Sequence, residues 1–417
     1  MIVILAANFL LFSAYFAGAQ LSPILGNVCA MPLLTNVMPT AYMDLDMKTV
    51  MTALTDTATP NFAQALTAYT QGGNARDEFG AVRTLQSLST KEPMTGQVLF
   101  DRYRVYYNSL TYADDFNMAA MQGIGSFQKI DVVTRGEAAA HGVLLLNVWM
   151  GVVNEIESAI SVCVDGQRLP SNQWNDNEEA WVLYSGSNQT FDSSIGYMLF
   201  GIANEYCIET NTCEQGSIAD ANYEGYALFQ ESSTDTALGL CEELSMVKWE
   251  IYTLMTVPLL QGLIIGAYRA DPNSGYNGDE AGAWGEAWAF AYSLLPSINY
   301  CSPQVASIVR SNLDITLASP MQSGYKAVIA QLQSIYPCLN VTCADIGGIA
   351  AINYPQCTDP SISTIAPTSQ TAVVAVSPGV GFLIFIIVFV CFVIATCCAF
   401  KQGRKYGRLS GQHDGIN

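Results

Sequence analysis

Two short stretches of this chain gather side chains that suit hard metal ions. "NSLTYADDFNMAAM" sets Tyr112 beside Asp114 and Asp115, and "KIDVVTRGEAAAHG" follows with Asp131, Glu137 and His141. Glu137 and His141 lie four residues apart at the start of a predicted helix, so both project from one face. Ferric iron, small and highly charged, prefers anionic oxygen and accepts imidazole, so a Tyr, Asp, Glu and His set suits Fe(III) and suits soft metals poorly. Arg135 stands between Asp131 and Glu137, placed to pair with them or to hold a bridging anion. "RTLQSLST" adds Arg83 and Thr84, a guanidinium and a hydroxyl able to bind an oxyanion at a helix start. The same residues have plainer uses. Asp114, Asp115 and Asp131 read equally as helix caps, and Glu137 as a partner of a helix dipole.

Other chemistry is poorly provided for. His141 and His413 are the two histidines, and His413 lies in the last five residues, so a Ser-His-Asp or Cys-His machine would have to run through His141. No nucleophile elbow, zinc-protease, P-loop or dinucleotide motif stands in a fitting context. Acids abound, yet nothing marks the spaced pair that glycoside hydrolysis needs. The expectation is a binding protein and not an enzyme. Its 17 basic and 36 acidic residues give a net charge of −19, which repels nucleic acid and attracts cations.

The elements that must position these residues are helical. Thr49 to Tyr69, broken near Pro60, and Glu137 to Cys163 carry apolar residues at three- and four-residue spacing. In the second, Leu145, Val148, Trp149, Val152, Ile156 and Ile160 form the apolar stripe, while Glu155 and Glu157 fall off it. Trp149, Trp181, Trp249, Trp284 and Trp288 read as core. An internal echo matches Glu179-Ala180-Trp181 to Glu286-Ala287-Trp288 at an offset of 107, and sets the long helix after Glu137 on Met246 to Tyr268. The predicted fold is mainly α: two related helical-bundle units, about 61–200 and 201–357, within an ectodomain spanning 20–357.

The ends place that domain outside a membrane. Residues 1–19 read as a signal peptide ending in Ala17-Gly18-Ala19. Residues 358–378 are Ser/Thr/Pro-rich, a stalk. Gly379 to Phe400 is an uncharged run of 22 residues, long enough to cross a bilayer, and Lys401, Arg404, Lys405 and Arg408 follow it. The expected topology is type I single-pass in the plasma membrane, with 401–417 in the cytoplasm. Tyr406 and Leu409 in that tail fit the Tyr-x-x-apolar signal that clathrin adaptors read. Nine cysteines, an odd number, fall on the oxidising side. Cys207 with Cys213 would close a small loop, while Cys338, Cys343 and Cys357 compete locally. Asn188 and Asn340 head glycosylation sequons.

"FAQALTAYTQGGNAR", "AVRTLQSLST", "YADDF", "RGEAAAHG" and "EEAWVLYSG" occur in that order. Together they resemble the algal iron-assimilation proteins: the periplasmic, high-CO2-inducible proteins of green algae and the phytotransferrins that marine algae induce on iron starvation. The resemblance runs from about Asn61 to about Cys357. It implies ferric binding at the cell surface with carbonate as synergistic anion, endocytosis, and release in an acidified vesicle to a downstream reductase and transporter. The family usually has Lys where this chain has His141, so the resemblance carries Glu137 and Tyr112-Ala113-Asp114 across and leaves His141 to the argument from spacing. The alternative from another class is a non-enzymatic adhesion or structural glycoprotein on a mucin-like stalk.

Overall fold

The structure is a computed structural model that describes residues 36–357, apart from 56–58, 91–93, 95, 166–174, 188–195 and 214–217. The expected signal peptide, stalk, membrane helix and tail, with Tyr406 and Leu409, lie outside the described residues, as do Cys29 and Asn188. Asn340 is described, exposed in a left-handed turn at a helix end.

The fold is mainly α. Among the described residues there is no strand, and isolated bridges join Arg76 with Val82 and Ile349 with Tyr354. The chain opens with α1 (Met38–Ala41), α2 (Met43–Leu54) and α3 (Phe62–Gln71), the last two separated around Pro60 as the sequence suggests. Next come α4 (Val98–Tyr107) and α5 (Tyr112–Gln122). A rod of 33 residues, Val132–Val164, then crosses the centre. It consists of α6 (Val132–Gly142), a π-helical segment (Val143–Val148) and α7 (Trp149–Val164). The second part holds α8 (Asp176–Ser185), α9 (Leu199–Thr210) and α10 (Asp220–Leu238). It closes with α11 (Cys241–Arg269), α12 (Glu280–Cys301), α13 (Pro303–Leu313) and α14 (Tyr325–Gln333).

One main core runs through this order, from Val37 to Ile349, so the stretches 61–200 and 201–357 share their buried side chains. The rod and α11 are both long and apolar enough to cross a membrane, but most of their side chains are buried within the protein. Their apolarity is that of core helices. The apolar stripe of the rod is buried as its spacing predicts from Leu145 to Ile156, with Ile160 partly buried, whereas Glu155 is buried too and Trp249 is half exposed.

The rod is held at two close crossings. At Gly285 a Cβ would stand 2.1 Å from the Thr134 carbonyl oxygen, so only glycine lets α12 lie directly against α6. At Gly142 a Cβ would stand 2.4 Å from Asn117 Oδ1, where α5 presses on the end of α6. Immediately beyond, in the π segment, buried Asn147 accepts from Asn117 Nδ2 at 2.7 Å and donates to Tyr69, Leu85 and Ser89. Buried polar groups so satisfied fix register as well as stability.

Four disulfides join the described residues: Cys163–Cys241, Cys207–Cys213, Cys301–Cys338 and Cys343–Cys357. The local competition among Cys338, Cys343 and Cys357 thus resolves with Cys338 reaching back to the end of α12. Cys163–Cys241 ties the end of α7 to the start of α11 across 78 residues. Replacing both cysteines with Ser is expected to cost about 4 kcal/mol of unfolding free energy, because the unfolded chain regains that loop's freedom. Denaturant titration of the variant against the parent checks this value.

Candidate metal site

The close crossing of α6 and α12 sets Glu286 opposite Glu137 and His141. His141 is buried, and its Nδ1 lies 3.1 Å from its own helix's Glu137 carbonyl oxygen. With a proton on Nδ1 donated to that oxygen, Nε2 carries the lone pair, and Nε2 faces Glu286 Oε1 across 3.8 Å. The Glu137 carboxylate stands 3.5 Å from Nδ1. A ring anchored through one nitrogen with the other turned toward carboxylates is how histidine is prepared for a metal ion.

Helix α9 supplies a second wall. Its Glu205, Tyr206 and Glu209 fall at i, i+1 and i+4. The Tyr206 hydroxyl donates to Glu286 Oε1, and its ring packs edge-on against Phe290. Arg269, in the last turn of α11, holds both oxygens of Glu209 at 2.7 Å and stands 3.9 Å from Glu286 Oε2. Four carboxylates, an imidazole, a phenol and a guanidinium therefore share one cluster.

The titration shifts describe a surplus of negative charge. Burial alone would lower the His141 pKa, yet Glu286, Glu137 and Glu205 together raise it. Burial pushes Glu205 up to about 7, with Glu286 and Glu209 adding to it. The Glu205 side chain is nonetheless exposed at the rim, so solvent screens part of that burial and its like-charged neighbours count for more. Burial raises Glu209 against the pull of Arg269. Burial, then Glu286 and Glu205, put the Tyr206 phenol well above its ordinary value. Such a cluster lowers its free energy by taking up a proton or a cation.

The residues singled out in the sequence separate here. Glu137 and His141 stand together in the cluster. Tyr112 is buried in an aromatic nest with its ring centroid 5.3 Å from Tyr103 and 5.7 Å from Tyr107, and among the described residues no carboxylate meets its hydroxyl. Burial puts its pKa well above the ordinary phenol value. Asp114 accepts from Tyr69 and Gln86, each at 2.9 Å. Asp115 accepts from Ser109 and Thr111 before α5, and Asp131 caps α6 by accepting from the Thr134 backbone. The anion-site expectations resolve the same way. Arg135 donates to the Ala120 and Met121 carbonyls at the end of α5 and lies over Phe62. Thr84 and Ser87 exchange hydrogen bonds around a single 3₁₀ turn. Arg83 meets two carboxylates, Glu155 and Glu179.

Sequence reasoning missed Glu205, Tyr206, Glu209 and Arg269 in this cluster, and met Glu286 only as part of the echo. A Glu-Tyr pair followed by Glu one turn later was the available signal on α9.

A mainly helical, disulfide-linked and strongly acidic body is a protein suited to an oxidising, extracytoplasmic compartment. Residues 30–359 match the model of the Fea1 family, described as low iron-inducible periplasmic protein. The match covers most of the chain, and the chain belongs to that family. No curated protein and no solved structure matches it.

Proposed function

We propose that the protein is a cell-surface ferric iron receptor of the phytotransferrin kind, and that Glu137, His141, Glu205, Tyr206 and Glu286 hold the ion. One observation carries this reading. The His141 imidazole is anchored at Nδ1 and presents Nε2 to Glu286 at a distance too long for a hydrogen bond and suited to a cation between them. Carboxylate, phenolate and imidazole are the donors Fe(III) prefers. The Arg269 Nη1 side, 3.9 Å from Glu286 Oε2, is the place for a synergistic carbonate. Uptake would proceed by endocytosis through the Tyr406–Leu409 signal and an adaptor, with iron passed on to a reductase and a transporter.

Ferric titration at pH 8, with and without bicarbonate, tests this reading. The expected result is a tight complex, strengthened by bicarbonate, with a phenolate-to-iron charge-transfer band in the visible. Tyr206→Phe is expected to abolish the band, and Tyr112→Phe to leave it unchanged. No ferric binding in either buffer would return the protein to the adhesion class.

A further inference from the structure

A second group of carboxylates lies where the rod passes α8. One oxygen from each of Glu155, Asp176 and Glu179 falls within 4.8 Å of the other two. The Arg83 side chain, 7 % exposed, reaches into this group and donates to Glu155 and Glu179, and Thr40 of α1 donates to Glu179 at 3.0 Å. Arg83 Nε is buried with no hydrogen-bond partner among the described residues. A guanidinium has five N–H donors in a rigid fork, and a site built for that fork would satisfy them. This one supplies charge without satisfying the fork.

The internal echo points the same way. Glu179 and Glu286 are its matched glutamates, 107 residues apart. Each stands on the shorter member of a packed helix pair, α8 on α7 and α12 on α11, and each faces an arginine. At Glu286 the arginine stands off, drawn to Glu209. At Glu179 it lies among the carboxylates.

We propose that Glu155, Asp176 and Glu179 form a second hard-cation site whose resident cation is the Arg83 guanidinium, and that a chain lacking that guanidinium takes a trivalent metal ion there. Arg83 thereby decides how many ions the protein carries. Removing one partner from a buried ion group leaves uncompensated charge, and an incoming cation restores the balance. Burial, then Glu155 and Glu78, push Asp176 up to about 6, so its proton leaves as the metal enters.

The inference takes the Glu286 cluster as the other half of the echo, and its test removes that cluster so that the two readings can fail separately. The full-length chain carrying Glu286→Gln is titrated with Tb³⁺, a hard trivalent probe whose emission the Trp181 indole sensitises from two residues beyond Glu179. With Arg83 present, no sensitised emission that depends on Glu179 is expected. Adding Arg83→Ser is expected to create one equivalent of binding, at least 100-fold tighter than in the parent. Adding Glu179→Gln should remove it, and Arg83→Lys, which keeps a cation in place, should not create it. If the Arg83→Ser chain is unfolded alone, Tb³⁺ is expected to restore its helical circular dichroism. A folded Arg83→Ser chain that binds no more Tb³⁺ than the parent overturns the proposal. So does an unfolded one that Tb³⁺ does not rescue, or a parent that already binds through Glu179.

Discussion

Between pH 8 and pH 5 ferric affinity is expected to fall by roughly six orders of magnitude. Tyr206, held well above the ordinary phenol range by burial, then Glu286 and Glu205, must give up its proton at every pH in this window. That alone costs one decade per unit. Glu205, pushed up to about 7, and His141, raised by Glu286, Glu137 and Glu205 against its burial, each add a proton as the solution acidifies. The slope should therefore steepen as pH falls, toward about three protons below pH 6.5. Competition against a chelator of known pH dependence measures it, and a flat profile would remove Tyr206 and His141 from the ligand set. The empty protein should respond in the opposite sense. A raised histidine pKa gives stability that is full below its unfolded value and is lost as pH rises through the folded one. A raised carboxyl, as at Glu205 or at Asp176, about 6, opposes folding once it ionises. The apo chain should thus melt higher at pH 6 than at pH 8, so acid releases the cargo and leaves the carrier folded.

Glu286→Gln is expected to weaken ferric binding at pH 8 by about a thousandfold, beyond the 10- to 100-fold that an outer-shell partner costs. Glu286 meets His141, Tyr206 and Arg269 at once, so no neighbour can replace its charge. The amide keeps the shape and the hydrogen bond from Tyr206, which separates loss of charge from loss of packing. His141 should then also titrate lower, since the largest force raising it has gone. Both effects can be read on one sample, by isotherm and by the imidazole resonance. An unchanged isotherm beside a shifted imidazole would mean that the cluster tunes protons and does not carry iron.

The helical class and the rod were legible because their signal is local: apolar residues at three- and four-residue spacing announce a buried face wherever that face goes. Glu137 and His141 were legible for the same reason, being one turn apart on one helix. Tyr112 and Asp114 misled because composition cannot tell a phenol pointing into an aromatic nest from one pointing at a cation. The remaining members of the cluster come from α9, α11 and α12, and Glu286 of α12 meets His141 beside the Gly285 crossing. A glycine that admits a neighbouring backbone looks, in a sequence, like any other. Arg83 shows the limit from the other side: its type announces a partner of negative charge, but the carboxylates it meets lie 72 and 96 residues away.

The π segment between Gly142 and Trp149 sets an angle. An α-helix turns about 100° per residue, so the extra residue that a π bulge accommodates changes the phase of everything beyond it. His141 lies before the bulge and Glu155 after it, roughly 21 Å further along the axis. Rewinding 143–148 as regular α-helix with all six residues kept would swing Glu155 by about 100° away from Arg83 while His141 kept its place, whereas deleting one of them along with the bulge would leave both where they are. The bulge is the indexing step that lets one shaft present a charge to each of two differently oriented clusters.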